Sequence, residues 1–165
     1  MTKRWEAGNV VIAEVSDRTE KRRIARGILE ALPEWFEIPE AREAYIRESA
    51  DCPLFAAWDG ERPVGFLCLK QTGRDTVELH VMGVLKDCHR RGVGRALFEK
   101  ARQAAVDAGY SFMQVKTVRM GVYEAYDSTN RFYMALGFRE FEVFPTLWDE
   151  ANPCQVYVMA LRGQQ

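Results

Sequence analysis

The feature that most constrains this 165-residue chain is a strand that runs through a glycine turn directly into a helix. Val77, Leu79 and Val81 alternate with Glu78, His80 and Met82, the period of a strand, and Val77–Val84 is predicted as one. Leu85-Lys86-Asp87-Cys88 and His89-Arg90-Arg91-Gly92-Val93-Gly94-Arg95-Ala96-Leu97 follow. From the first glycine onward Val93, Ala96, Leu97, Ala101, Ala104 and Ala108 recur at helical spacing, and Gly109 supplies a stop. A helix start presents unpaired N–H groups and partial positive charge, and glycines let a ligand approach that backbone closely. With Arg90, Arg91 and Arg95 around it, the turn reads as an anion site suited to phosphate.

Two phosphate ligands fit poorly. A nucleoside-triphosphate loop needs Lys-Ser/Thr after its second glycine, and a dinucleotide fingerprint needs Gly or Ala where Leu97 stands. The stretch instead resembles the acyl-coenzyme A pyrophosphate loop of the GNAT superfamily of N-acetyltransferases. That motif reads Gln/Arg-x-x-Gly-x-Gly/Ala and enters a helix from a strand that often carries a glutamate. Its first position here is His89. A second family feature follows in the expected order: Phe132-Tyr133-Met134-Ala135-Leu136-Gly137-Phe138 matches the Phe-Tyr-x-x-x-Gly-Phe helix. The places where the family often has Asn and Ala hold Tyr126 and Thr129, so no Asn contact to coenzyme A is carried over.

Around these motifs the chain reads as β-α-α-β-β-β-α-β-α-β-β, a mixed α/β layer structure with one core. The first strand covers Asn9–Val15, and Ser16 or Asp17 caps a helix over Arg18–Leu32 whose stripe is Ile24, Ile28 and Leu32. Pro33–Pro39 forms a loop with Trp35 and Phe36, and a second helix covers Glu40–Ser49. Leu54–Trp58 and Val64–Lys70 form a hairpin about Asp59-Gly60, with Gly65 marking a bulge or a close approach. Beyond the long helix come a strand over Ser111–Val118 and an irregular segment over Arg119–Tyr126. A helix capped by Asp127 or Ser128 then runs to Leu136, and two strands, Phe138–Phe144 and Gln155–Leu161, flank a loop over Pro145–Pro153. The expected fold is a single GNAT-like domain over residues 1–165, a mostly antiparallel sheet of six or seven strands flanked by about four helices.

The resemblance implies acetyl-CoA as cosubstrate and acetyl transfer to a primary amine by direct attack in a ternary complex. That chemistry needs a deprotonated amine, donors for the developing oxyanion and a proton for the departing thiolate. An alkylammonium with a pKa of about 10.4 is almost wholly charged at neutral pH, so a proton acceptor helps. Glu78 stands where the family places its catalytic glutamate. His80 shares its strand face and is either an alternative base or a group that orients Glu78 or a water. Tyr133 matches the tyrosine that in many members serves the departing sulfur. The resemblance further implies that Met82 and Val84 contact the pantetheine arm through their backbone, with His89, Arg90, Arg91, Gly92, Val93, Gly94, Arg95 and Ala96 at the pyrophosphate. Trp35, Phe36, Tyr123, Tyr126 and Trp148 are candidate acceptor contacts. They are accompanied by acids, a pairing that suits a cationic acceptor.

A net charge of -1 gives no global case for nucleic acid or an acidic membrane as partner. Four cysteines without CxxC spacing and only two histidines argue against structural zinc and read as reduced thiols in a cytoplasm. The expected partner is a small-molecule amine acceptor, with homodimerisation left open. Two other functions stay in play: acetylation of a protein or peptide amine, and a non-catalytic acyl-CoA sensor.

Overall fold

The computed structural model describes residues 10–161. Its elements in chain order are β1 (Val10–Val15), α1 (Arg18–Glu30), α2 (Pro39–Ser49), β2 (Leu54–Asp59), β3 (Arg62–Gln71), β4 (Thr76–Val84), a single 3-10 turn (Lys86–Cys88), α3 (Val93–Asp107), β5 (Phe112–Val118), α4 (Glu124–Leu136), β6 (Arg139–Asp149) and β7 (Asn152–Ala160). This is a mixed α/β fold with a seven-stranded sheet in the order β1-β2-β3-β4-β5-β7-β6. β1–β2, β2–β3, β5–β7 and β6–β7 pair antiparallel. β5 runs parallel to β4 over three residue pairs ending at Glu78–Gln114.

The described chain divides into two compact units, residues 10–70 with 80–104, and residues 71–79 with 105–161. In the first, α1 begins where the Asp17 carboxylate accepts a 2.8 Å bond from the Glu20 N–H, a cap worth about 1 kcal/mol. Ile24, Ile28, Leu29 and Leu32 then bury with Ile46 of α2, Leu54, Phe66 and Val81. Complete burial of a side chain such as Phe66 is worth roughly 1.5–3 kcal/mol. Gly83 is required by this packing. A Cβ there would stand 2.9 Å from both Ile28 Cγ2 and Leu32 Cδ1. Gly65 is a close approach, since its Cβ would lie 3.1 Å from the Gly83 carbonyl oxygen. It also borders the register shift of this hairpin, since Ala57 pairs with Gly65 and Trp58 with Pro63, leaving Val64 between them.

In the second unit Met113, Val115, Tyr133, Leu136, Phe138, Val156 and Tyr157 are buried. Asn130, wholly buried, donates to the carbonyls of Val118 (2.8 Å) and Tyr126 (2.7 Å) and accepts from the Tyr157 hydroxyl (2.6 Å). Every polar atom of that amide with a strong hydrogen-bonding need is thereby met, which is the condition for burying it. Gly137 ends α4 in the left-handed region, φ 107°, where glycine carries no Cβ penalty.

Three local expectations are corrected. α4 starts at Glu124, not after Asp127, because the Asp127 carboxylate is used one turn inside the helix to accept from the Gly121 N–H at 2.7 Å. The segment 145–153 is not a loop. β6 and β7 extend through it to a tight turn closed by Asp149 and Asn152, so Trp148 lies in a strand. On α3 the buried stripe is Val93, Leu97, Phe98, Ala101 and Ala105, whereas Ala108 is exposed. Small alanines gave the expected periodicity too little apolar weight to fix its phase. Asn9, expected to open β1, lies outside the described residues.

Candidate active site

The glycine turn takes the form that its sequence requires. Arg90 and Gly92 both have positive φ, 62° and 81°, the second at no cost because it is glycine. α3 opens immediately afterwards, and its first-turn bond runs from the Ala96 N–H to the Gly92 carbonyl at 3.0 Å. The amides before that bond are those that have no partner inside an α-helix. Arg90, Arg91 and Arg95 are exposed around them.

The turn is held from three sides. Asp87 accepts from Arg62 at 3.2 Å, which keeps its carboxyl below the usual carboxylate range. Lys86 pairs with Glu34 in the α1–α2 connection, and this bond likewise lowers the Glu34 carboxyl. Trp35 meets the His89 ring edge-on, with centroids 5.8 Å apart. His89 Nε2 lies 2.6 Å from the Val84 carbonyl oxygen, so this nitrogen carries the proton and donates. The histidine that departs from the loop motif thus ties the turn to the end of its own strand. Trp35, expected as an acceptor contact, is placed against this cofactor-loop residue.

His80 lies in the same unit, with its side chain 12% exposed. Its Nε2 is 2.7 Å from Glu48 Oε2 on α2, and Tyr45 stands edge-on to the ring at 5.2 Å. Phe36 in turn meets Tyr45 edge-on at 6.0 Å. Lys70 on β3 reaches the other Glu48 oxygen at 3.9 Å.

The second unit holds Glu78 and Tyr133. Glu78 is buried, 6% exposed, and its Oε1 accepts from Lys116 Nζ at 2.9 Å. β5 aligns Gln114 beside Glu78, so Lys116 comes from two residues further along the same strand face. Cys154 feels the charges of both Lys116 and Glu78. Its thiol is wholly buried and pushed up to about 11, chiefly by loss of water. Tyr133 packs among Phe132, Phe138 and Tyr157. Tyr123 and Tyr126 face each other at 6.1 Å at the start of α4, while Trp148 is exposed on β6. Among the described residues no group of three or more His, Cys, Asp or Glu is placed to hold a metal ion. No described helix is long and apolar enough to cross a membrane.

The sequence profile of the Acetyltransferase (GNAT) family matches residues 21–138. The chain belongs to the GNAT acetyltransferase family. Comparison with curated proteins gives no match. Among solved structures, a GNAT-family protein from Desulfovibrio desulfuricans superposes with a TM-score of 0.80 at 19% identity, covering 93% of this chain and 99% of the other. An aminoglycoside 6'-N-acetyltransferase complexed with coenzyme A gives 0.71 at 18% identity, covering 93% and 98%. A GNAT acetyltransferase from Elizabethkingia anophelis with acetyl-CoA bound gives 0.70 at 16% identity, covering 92% and 98%. These likenesses concern the fold.

As a GNAT acetyltransferase this chain is an acyl-transfer enzyme, and several of its polar partners were not anticipated from sequence. Lys116 was legible only as one more polar residue on an alternating strand. Glu48 follows Tyr45 by one helical turn, so the two share a face, but nothing local said that His80 would meet that face.

Proposed function

We propose that this GNAT family member uses acetyl-CoA to acetylate a primary amine of a small molecule, by direct attack in a ternary complex, with residues 1–165 acting as one acetyltransferase domain. The glycine turn at the head of α3 carries the reading. Arg90 and Gly92 both have positive φ, a kind of backbone turn whose amides can converge on an anion, and α3 adds the positive end of its dipole there. The donor set fits a diphosphate: amides of Gly92, Val93, Gly94, Arg95 and Ala96, with Arg90, Arg91 and Arg95 supplying charge. Backbone at Met82 and Val84 would receive the pantetheine arm, although the Val84 carbonyl already accepts from His89.

Glu78 takes a proton from the acceptor ammonium, directly or through a water, and Lys116 fixes its carboxylate by donating to one oxygen. The Tyr133 hydroxyl provides the proton for the departing sulfur. Trp35, Phe36, Tyr123, Tyr126 and Trp148 are the aromatic surfaces offered to the acceptor. A small-molecule acceptor is favoured by the pairing of Tyr123 and Tyr126 beside Glu124 and Asp127, a combination that suits a cation. One of the similar structures is, by its name, an aminoglycoside 6'-N-acetyltransferase. Four free cysteines support a reducing, cytoplasmic setting.

The test is an acceptor screen with acetyl-CoA that measures release of free thiol, run beside Glu78→Gln and Tyr133→Phe. Turnover of at least one small amine is expected, with kcat lowered by about 100-fold or more in Glu78→Gln. Coenzyme A binding without turnover of any amine would favour a sensor. Turnover of peptide amines alone would move the acceptor class to proteins.

A further inference from the structure

The edge of the sheet carries apolar surface left open to water. β6 stands last in the strand order, with β7 on one side only. Phe141 and Leu147 on it are 64% and 54% exposed, and Trp148 is exposed as well. An edge that shows large apolar side chains is a place where another chain can attach.

The order of residues along β6 says which chain. Arg139 and Asp149 stand at its two ends, and Phe141 and Leu147 lie two residues inside them. Arg139 is exposed, and its guanidinium pairs with no acid among the described residues. The Asp149 carboxylate is exposed and accepts from the neutral amide of Asn152, which leaves its charge uncompensated. The pairing with β7 fixes where these groups lie. Arg139 pairs with Val158 and Asp149 with Asn152. Those partners are an even number of residues apart on β7, so Arg139 and Asp149 share one face of the sheet, roughly 20 Å apart at about 3.4 Å per residue. The midpoint is Val143, which pairs with Gln155. Phe141 falls in the irregularity on one side of it, between Glu140 and Glu142. Leu147 falls in the irregular stretch on the other side, between Phe144 and Asp149.

We infer that this chain forms a two-fold dimer through β6, each copy turned end for end against the other about Val143. The axis is perpendicular to the sheet, which keeps the charged ends on one face. Such a contact is isologous, so one arrangement makes every pair twice. Arg139 of each copy meets Asp149 of the other, and Phe141 of each meets Leu147 of the other. By the β7 register Glu140 falls opposite Trp148 and Glu142 opposite Phe144, so no two like charges stand directly opposite. Moving the axis by one residue to Glu142 would set that carboxylate against its own copy. Pro145 lacks an N–H and the two irregularities break the strand edge, so side chains make this contact and the sheet does not continue across it. The inference does not depend on the acetyltransferase reading.

The test is sedimentation equilibrium of the full chain over micromolar concentrations, where a dimer is expected. Phe141→Ser and Leu147→Ser should each weaken it about 100-fold, because symmetry counts each loss twice. Arg139→Asp and Asp149→Arg should each weaken it about 10-fold or more, because each turns two attractions into repulsions. Mixing these two charge variants in equal amounts should restore a dimer, since one then carries acids and the other arginines at the meeting ends. A variant whose hairpin had failed to fold could not be rescued in this way. A wild-type chain that stays monomeric overturns the inference. A dimer that survives both serine variants, or charge variants that do not recombine, overturns it equally.

Discussion

Replacing Lys116 with methionine removes the ammonium from Glu78 while keeping the length of the side chain. At 2.9 Å and an effective dielectric of about 20, the gross attraction between the two charges is about 6 kcal/mol. Most of this is offset by the cost of taking a carboxylate that is 6% exposed out of water. Lys116 is 30% exposed, so water already screens its end of the pair, and Glu78 has further interactions besides Lys116. The expected loss is therefore about 2 kcal/mol, below the 3–5 kcal/mol typical of stripping a fully buried ion of its partner. For a domain of this size that lowers Tm by roughly 4–8 °C. Glu78→Gln alone should cost less, because Lys116 can turn to water. The double variant should recover about 1–2 kcal/mol relative to the sum of the singles. Calorimetry on the four proteins measures the cycle, and kcat in Lys116→Met should drop about 10-fold as the carboxylate loses its fixed position. Strict additivity, together with an unchanged Tm in Lys116→Met, would refute the claim that the pair holds Glu78 in place.

Two further outcomes follow from packing and burial. Gly83→Ala puts a methyl 2.9 Å from Ile28 and Leu32, so α1 must shift or its side chains leave their rotamers; chemical denaturation should show a loss of about 1–3 kcal/mol, and a loss below 0.5 kcal/mol would mean that α1 yields freely. Cys154 gives a pH signature. Its folded thiol is raised to about 11 against an ordinary value of 9.0, so between these values the folded state holds a proton that the unfolded chain has released. Stability must then fall as pH rises from about 9 toward 11, by at most about 2–3 kcal/mol, and this loss should shrink in Cys154→Ala when the two are unfolded in urea across that range.

Much of the fold could be read locally. Element order was legible because each element carries its own signal: the Asp17 cap, the β4 alternation, Gly137 at a helix end. The anion turn was legible because its glycines act through backbone geometry, which depends on neighbours in sequence. Misplacements came where two local signals competed. Asp127 is a good cap in isolation, but Tyr123 opens the helix and Asp127 serves Gly121 instead. Pro145 and the acids near it read as a loop, yet β6 runs on across an irregular stretch to Asp149, which pairs with Asn152, and an edge position tolerates a proline that lacks an N–H.

By itself the sequence determined which backbone would bend, where α1 and α3 would start, and that a carboxylate and an imidazole would share one face of β4. Only the tertiary structure decided what those groups touch: Lys116 for Glu78, Glu48 for His80, the Val84 carbonyl for His89. The first two partners are separated from their targets by 38 and 32 residues, and no local periodicity encodes a meeting over that distance. It comes from strand register and helix packing, which are settled by burial of the whole apolar set at once.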